Sequence, residues 1–348
     1  MFRINLPKER GENPEKARQH SALKIGVIGV GGRTGTMFAF ELKNSGNVFG
    51  IGRKKEIDLI KEEKIFIKRG EKEFLFKEET IYDFEFPKGI SFDFLFLTVK
   101  NPVGPAISYY YRKIKEENLK PPVLFLSQNG IEASEDAVSC LKEIFGQDFK
   151  KISVFRISLF NAIEKKILED KTYILYSLPI RFALAKVCGE SEDEKIFEIF
   201  KENKNFEIFF LPEKEMKNME YSKLFLNLIG MASATHGFSI KEGFSKKEIF
   251  KEEIQSLREF KKVVLFKKGR FLNFPHYPVK ILSFLISLPL FFLFPFRKLL
   301  ANLIEKGRLG KLKDLDEIDY YNGGVVKMAK ELGLEAPINF RILKRAKT

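Results

Sequence analysis

The chain has 348 residues, 44% of them apolar and 31% charged, which excludes a disordered polymer and suits two globular domains better than one core. Its formal net charge is +14, yet Lys and Glu are interspersed along most of the length. With no uninterrupted basic block and no zinc-finger spacing, nucleic-acid binding is disfavoured, and a cleft for phosphates and carboxylates accounts for the charge.

The first 22 residues are polar, with Pro and Gly breaks, and lack the apolar stretch of a secretory signal. They read as a flexible leader, and the expected compartment is the cytoplasm. From Leu23 the pattern LKIGVIGVGGRTGTMFAFELKNSG predicts a strand over 24–28, a glycine turn, a helix over 36–43 and a stop at Asn44 to Gly46. A second apolar strand over 47–51 completes a βαβ unit. A strand pair follows at 65–67 and 74–76. Then come two continuous apolar runs, FDFLFLTVK (92–100) and PVLFLSQNG (122–130), of the kind found in parallel strands covered on both faces. Beyond Lys151 the stretches ISVFRISLF, TYILYSLPIRFALA and FEIFFL read as strands, with a helix over 191–201 between the last two.

From Glu213 onward the pattern is helical, so the predicted organisation is a leader 1–22, a nucleotide-binding domain 23–212 and a helical domain 213–348. One segment stands out there, ILSFLISLPLFFLFPF over 281–296. It is too short to span a bilayer and is interrupted by Pro289 and Pro295, so a buried, proline-broken helix is expected and membrane contact is disfavoured. An interfacial or oligomer contact, such as a homodimer, stays open. Cys140 and Cys188 are too few for a disulfide framework and lack metal-ligand spacing, and His20, His236 and His276 read as surface or cap residues, so no metal is expected.

The chemistry begins at Gly29-Val30-Gly31-Gly32-Arg33-Thr34-Gly35. Glycines there permit positive φ and close approach of a pyrophosphate, and the following helix N-terminus supplies N–H donors. A strict G-x-G-x-x-G would have glycine where Thr34 stands. The position after a strand and before a helix nevertheless marks Gly29, Gly31, Gly32, Arg33 and Thr34 as a dinucleotide loop. At the end of the second strand an acidic residue would read a ribose hydroxyl. This chain has Gly52-Arg53-Lys54-Lys55, and Arg53 is suited to a 2′-phosphate, so NADPH is preferred to NADH. Lys100 and Asn129 close two buried strands and by topology face the same cleft, whereas Asp93 and Ser127 read as strand-flanking turn formers. In MEYSKLFLNLIG, Lys223 and Asn227 are four apart on one helix face. Lys223 reads either as a desolvated acid for a carbonyl oxygen or as a lysine snorkelling to water.

Together these residues resemble the ketopantoate reductase family. The likeness runs from about Lys24 to Asn339 and rests on the glycine loop, Arg53, FDFLFLTVK, LSQNGIE, YSKLFLN, DEIDYYNGGVV with Glu317, and the closing Gly333 and Ala336-Pro337-Ile338-Asn339. The resemblance implies an α/β Rossmann N-terminal domain plus an all-α C-terminal domain of the 6-phosphogluconate-dehydrogenase C-terminal type. It also implies NADPH-dependent reduction of a small 2-keto acid, ketopantoate to pantoate, in pantothenate and coenzyme A biosynthesis. Lys223 is then the general acid, Asn227 and Asn129 hold substrate, Glu317 fixes the lysine or a substrate hydroxyl, and Lys100 and Asn129 lie on the cofactor side. Three departures point to another keto acid: Thr34 for glycine, Met231 where a further Asn is usual, and no evident Ser upstream of Glu317. A non-catalytic NADP-binding protein is the alternative of a different class.

Overall fold

The computed structural model describes residues 23–77, 81–83, 85–190, 196, 199–200, 203–305 and 312–348. The leader and most of the expected 191–201 helix lie outside the described residues.

The first strand, β1 (Lys24–Ile28), leads through the glycine turn into α1 (Arg33–Glu41), β2 (Asn47–Gly52) and α2 (Lys54–Lys61). The hairpin β3 (Ile65–Arg69) and β4 (Lys72–Leu75) comes next, then β5 (Ile81–Asp83), β6 (Phe94–Leu97), α3 (Gly104–Glu116), β7 (Val123–Leu126) and α4 (Ala133–Phe145). Five more strands follow: β8 (Val154–Leu159), β9 (Glu164–Leu168), β10 (Lys171–Leu175), β11 (Ile180–Cys188) and β12 (Phe206–Leu211). The main sheet has eight strands in the order β12-β11-β8-β7-β6-β1-β2-β5. The run from β8 to β5 is parallel; β11 pairs antiparallel with β8 and parallel with β12.

Period-two alternation explains why the apolar runs became central strands. Phe94 and Phe96 point into one core beside α1, where Phe96 stacks on Phe125 at 4.5 Å, while Leu95 and Leu97 point into the other core beneath α3 and α4. The single strand expected over TYILYSLPIRFALA is in fact two. It breaks at Ser177 to Pro179, sending β10 to a separate four-stranded sheet, β4-β3-β10-β9, and β11 to the main sheet.

After Leu211 the regular elements among the described residues are helices, apart from one isolated bridge between Phe274 and Tyr277. The helices are α5 (Met216–Leu228), α6 (Met231–Thr235), α7 (Ile240–Ser245), α8 (Lys247–Phe266), α9 (Val279–Leu285), α10 (Leu290–Leu293), α11 (Arg297–Glu305), α12 (Asn322–Glu331) and α13 (Pro337–Ala346). The strand-rich and helical parts share a core, in which Ala183 and Ala185 of β11 meet Met219, Leu224 and Phe225 of α5.

The 281–296 segment breaks at Pro289, as expected, but is buried on one side only. Val279, Ile286 and Leu293 are buried, whereas Phe284, Phe291, Phe292 and Phe296 are exposed. No helix among the described residues is long and apolar enough to cross a membrane.

Candidate active site

The glycine turn closes tightly on the sheet. Gly31 has φ +81°, and a Cβ there would fall 2.2 Å from Cβ of Glu56 on α2. The packing role that Thr34 cannot fill is taken one residue later. A Cβ on Gly35 would lie 2.2 Å from the Gly29 carbonyl oxygen, so only glycine lets α1 sit this close to the end of β1. The departure at Thr34 therefore leaves helix–strand packing intact. Gly32 is the N-cap and no side chain caps α1, while Arg33 and Thr34 are half-exposed at its first turn. That leaves a helix N-terminus suited to a phosphate.

Arg53 stands at the carboxyl end of β2 as the N-cap of α2. Its side chain is 68% exposed and grips buried Glu56, with Nε donating to Oε2 at 3.0 Å and Nη2 to Oε1. A further cation, which the sequence pattern did not reveal, arrives from the small sheet. Lys165 on β9 donates from Nζ to the Gly31 carbonyl at 2.8 Å. Burial pushes its pKa down, Glu56 opposes this, and Arg53 and Lys55 push it further down. The glycine loop is thus bordered by Arg53, Lys55 and Lys165, a setting that fits a dinucleotide bearing an additional phosphate.

Lys100, after β6, bonds to Asp316 at 2.7 Å, and Arg33 lies 3.5 Å from Asp314. The Lys100 hydrogen bond holds the Asp316 carboxyl below its ordinary pKa. Two cations of the strand-rich part therefore meet two acids of the segment leading into Glu317.

Asn129, Glu317 and Asn227 come together. Asn129 Nδ2 donates to Glu317 Oε2 at 2.8 Å, Asn227 Nδ2 lies 3.4 Å from Asn129 Oδ1, and the Tyr321 hydroxyl donates to Glu317 Oε2 at 2.9 Å. Burial, then Glu317, raises the Tyr321 pKa, so this hydroxyl keeps its proton. Lys223, one turn before Asn227, is directed elsewhere. Its Nζ donates to the Leu159 carbonyl at 2.5 Å and lies 5.5 Å from the Phe160 ring centroid. It reaches the carboxyl end of β8, next to the β7 end from which Asn129 emerges. Lys313 donates to the Asn227 and Ile229 carbonyls, placing a cation at the C-terminus of α5. Asp93 and Ser127 have structural partners, the Lys24 N–H at 2.8 Å and the Leu97 carbonyl at 3.1 Å.

The sequence-predicted residues thus follow the sheet edge in spatial order. Arg53 ends β2, the glycine loop ends β1, Lys100 follows β6, Asn129 follows β7 and Lys223 meets the end of β8. Four strand spacings of about 4.8 Å make this row roughly 19 Å long. A separate cleft of about 560 Å³, between α4, α5 and α12, contains none of these residues. Its carboxylates already have partners: Glu135 with Lys217, Glu132 with Lys327, Glu331 with Lys267, and Asp136 with the Gly104 N–H.

The chain is similar to known proteins in fold. Residues 25–149 match the family model described as ketopantoate reductase PanE/ApbA. No curated protein matches in sequence. A PanE/ApbA family ketopantoate reductase from Ralstonia eutropha JMP134 superposes with TM-score 0.69 at 14% identity, covering 93% of this chain and 97% of that one. A probable 2-dehydropantoate 2-reductase from Bacillus subtilis gives 0.64 at 18% identity, covering 93% and 99%. D-mandelate dehydrogenase in a ternary structure with NADH and anilino(oxo)acetate gives 0.68 at 15% identity, covering 93% and 97%. Residues 25–149 are thus similar to the ketopantoate reductase PanE/ApbA family model, and the chain shares its two-domain fold with solved structures so described.

Proposed function

We propose that this chain is an NADPH-dependent reductase of a 2-keto acid, with ketopantoate, giving pantoate in coenzyme A precursor synthesis, as the first substrate to test. The reading takes 23–212 as the cofactor domain and 213–348 as the substrate domain, acting in the cytoplasm. One observation carries it: the order Arg53, glycine loop, Lys100, Asn129, Lys223 along the carboxyl edge of the sheet. That order suits a dinucleotide lying along the edge, with its 2′-phosphate at Arg53 and Lys165 and its reactive ring at Asn129.

NADPH, when bound, supplies a hydride to the substrate's carbonyl carbon. The chain supplies the rest. Lys223 holds an ammonium proton for the carbonyl oxygen as its double bond opens, so keto acid, hydride and proton give the 2-hydroxy acid. Asn227 and Asn129 orient the substrate. Glu317, anchored by Asn129 and Tyr321, accepts from a substrate hydroxyl.

A second reading keeps the reaction and changes the substrate to a bulkier aryl keto acid. Phe160 beside Lys223 packs against Phe274 at 4.7 Å and Tyr277 at 5.2 Å, an aromatic wall at the site. The experiment is NADPH oxidation by purified protein, followed by absorbance, with ketopantoate and a panel of alkyl and aryl 2-keto acids. Turnover of ketopantoate above the others supports the first reading, and preference for aryl acids supports the second. Tight NADPH binding with no turnover across the panel would reject both in favour of a non-catalytic role.

A further inference from the structure

The helical part carries a surface that the reductase reading does not use. α9, α10 and α11 follow one another over 279–305 and cover the same underlying residues. Leu282, Leu285, Leu293 and Leu300 pack over Phe225, Phe250 and Leu257. Their shared underside defines a shared outer side, and that side is apolar. Ile281, Phe284, Phe291, Phe292, Phe296 and Leu299 are each between 54% and 66% exposed. Six large, exposed apolar side chains within 19 residues are the kind of clustering that marks an interaction site, whereas single exposed apolar residues are ordinary. Pro289 and Pro295 divide the stretch into short pieces, which suits it to lying along a surface and not to crossing one.

Charge indicates what covers the patch. The 26 residues from 279 to 304, which carry the patch, contain three Lys or Arg and no Asp or Glu. Lys280 and Lys298 are exposed at the two ends of the apolar stretch, with Arg297 half-buried beside Lys298. Isologous pairing with a second copy would set this basic surface against itself. An anionic bilayer offers the complementary pair, negative headgroups above an apolar interior. We propose that this face docks the protein onto an anionic lipid surface, with Phe284, Phe291, Phe292 and Phe296 entering the acyl boundary while Lys280, Arg297 and Lys298 meet lipid phosphates. The surface follows closely on the site in sequence: α9 begins two residues after Tyr277, which stacks on Phe160 beside Lys223.

The test is sedimentation of the full chain with vesicles of phosphatidylcholine alone and of phosphatidylcholine with phosphatidylglycerol. Because a protein of charge +14 can adsorb through charge alone, the deciding comparison is Phe291→Ser/Phe292→Ser, which leaves every charge in place. Binding should require phosphatidylglycerol and weaken with salt, and the double variant should bind at least about tenfold more weakly with an unaltered thermal melt. No binding to anionic vesicles at low salt would overturn the proposal, as would equal binding by the double variant. A wild-type dimer that this variant converts to monomer without vesicles would assign the face to a second copy instead.

Discussion

Arg156 on β8 and Glu220 on α5 form an ion pair at 2.9 Å with side chains only 2% and 1% exposed. Arg156 also donates to the Leu126, Gln128 and Gly130 carbonyls, which hold the loop presenting Asn129. Glu220 receives Ser134 at 2.7 Å and Lys217 at 2.9 Å, and it lies one turn before Lys223. One buried pair thus ties the loop carrying Asn129 to the helix carrying Lys223 and Asn227.

Removing one partner would strand the other charge in the core. Glu220→Ala should cost about 3–5 kcal/mol in urea unfolding, as expected of a broken buried pair. Arg156→Met combined with Glu220→Ala should cost less than the two single losses added together. Additivity within about 0.5 kcal/mol would show that the two residues act independently.

At the cofactor end, Arg53→Ala should weaken NADPH binding by about 10- to 100-fold through loss of a charge-assisted bidentate contact, and leave NADH binding within a fewfold. Lys165→Ala should act in the same direction more weakly, since its ammonium already bonds to the Gly31 carbonyl. Titrating each variant with both cofactors measures the difference. Equal losses for NADPH and NADH would remove the 2′-phosphate role from Arg53.

The parts of this site legible in the sequence are those written in local patterns. The glycine turn sits between β1 and α1, and the apolar runs of β6 and β7 end at Lys100 and Asn129. Lys223 and Asn227 share a helix by spacing alone. Lys165 was illegible because β9 is a polar, exposed strand whose sheet depends on β10 pairing with β3, more than a hundred residues away. Arg156 is the one charged residue in the strand pattern ISVFRISLF, and nothing near it in sequence announces Glu220. The 281–296 segment reads as a buried helix with an interfacial contact left open, because an apolar run shows what can be buried but not that only one side finds a partner.

Glu253 on α8 is fully enclosed, accepts from the Gly230 and Ser233 N–H groups, and lies near Lys313. Burial pushes its carboxyl up to about 7 from an ordinary 4.5. Across that window the folded chain holds a proton that the unfolded chain has released, so this group's contribution to stability falls as pH rises and is fully lost above the folded value. Glu253→Gln stays neutral throughout. Its melting temperature relative to wild type should therefore be higher at about pH 8 than at about pH 5. A difference that does not change with pH would mean the carboxylate is ionised in the folded protein across the range.

In the proposed reaction, the lysine carried by α5 to the end of β8 donates the proton. This role is tested most directly by the steady-state kinetics of Lys223→Ala, set beside its NADPH affinity, on the keto acid that the wild type turns over best. The variant should lose about 100-fold or more in kcat with NADPH binding unchanged, the behaviour of a lost general acid. A raised KM with kcat intact would contradict this role and reduce Lys223 to a substrate-binding group.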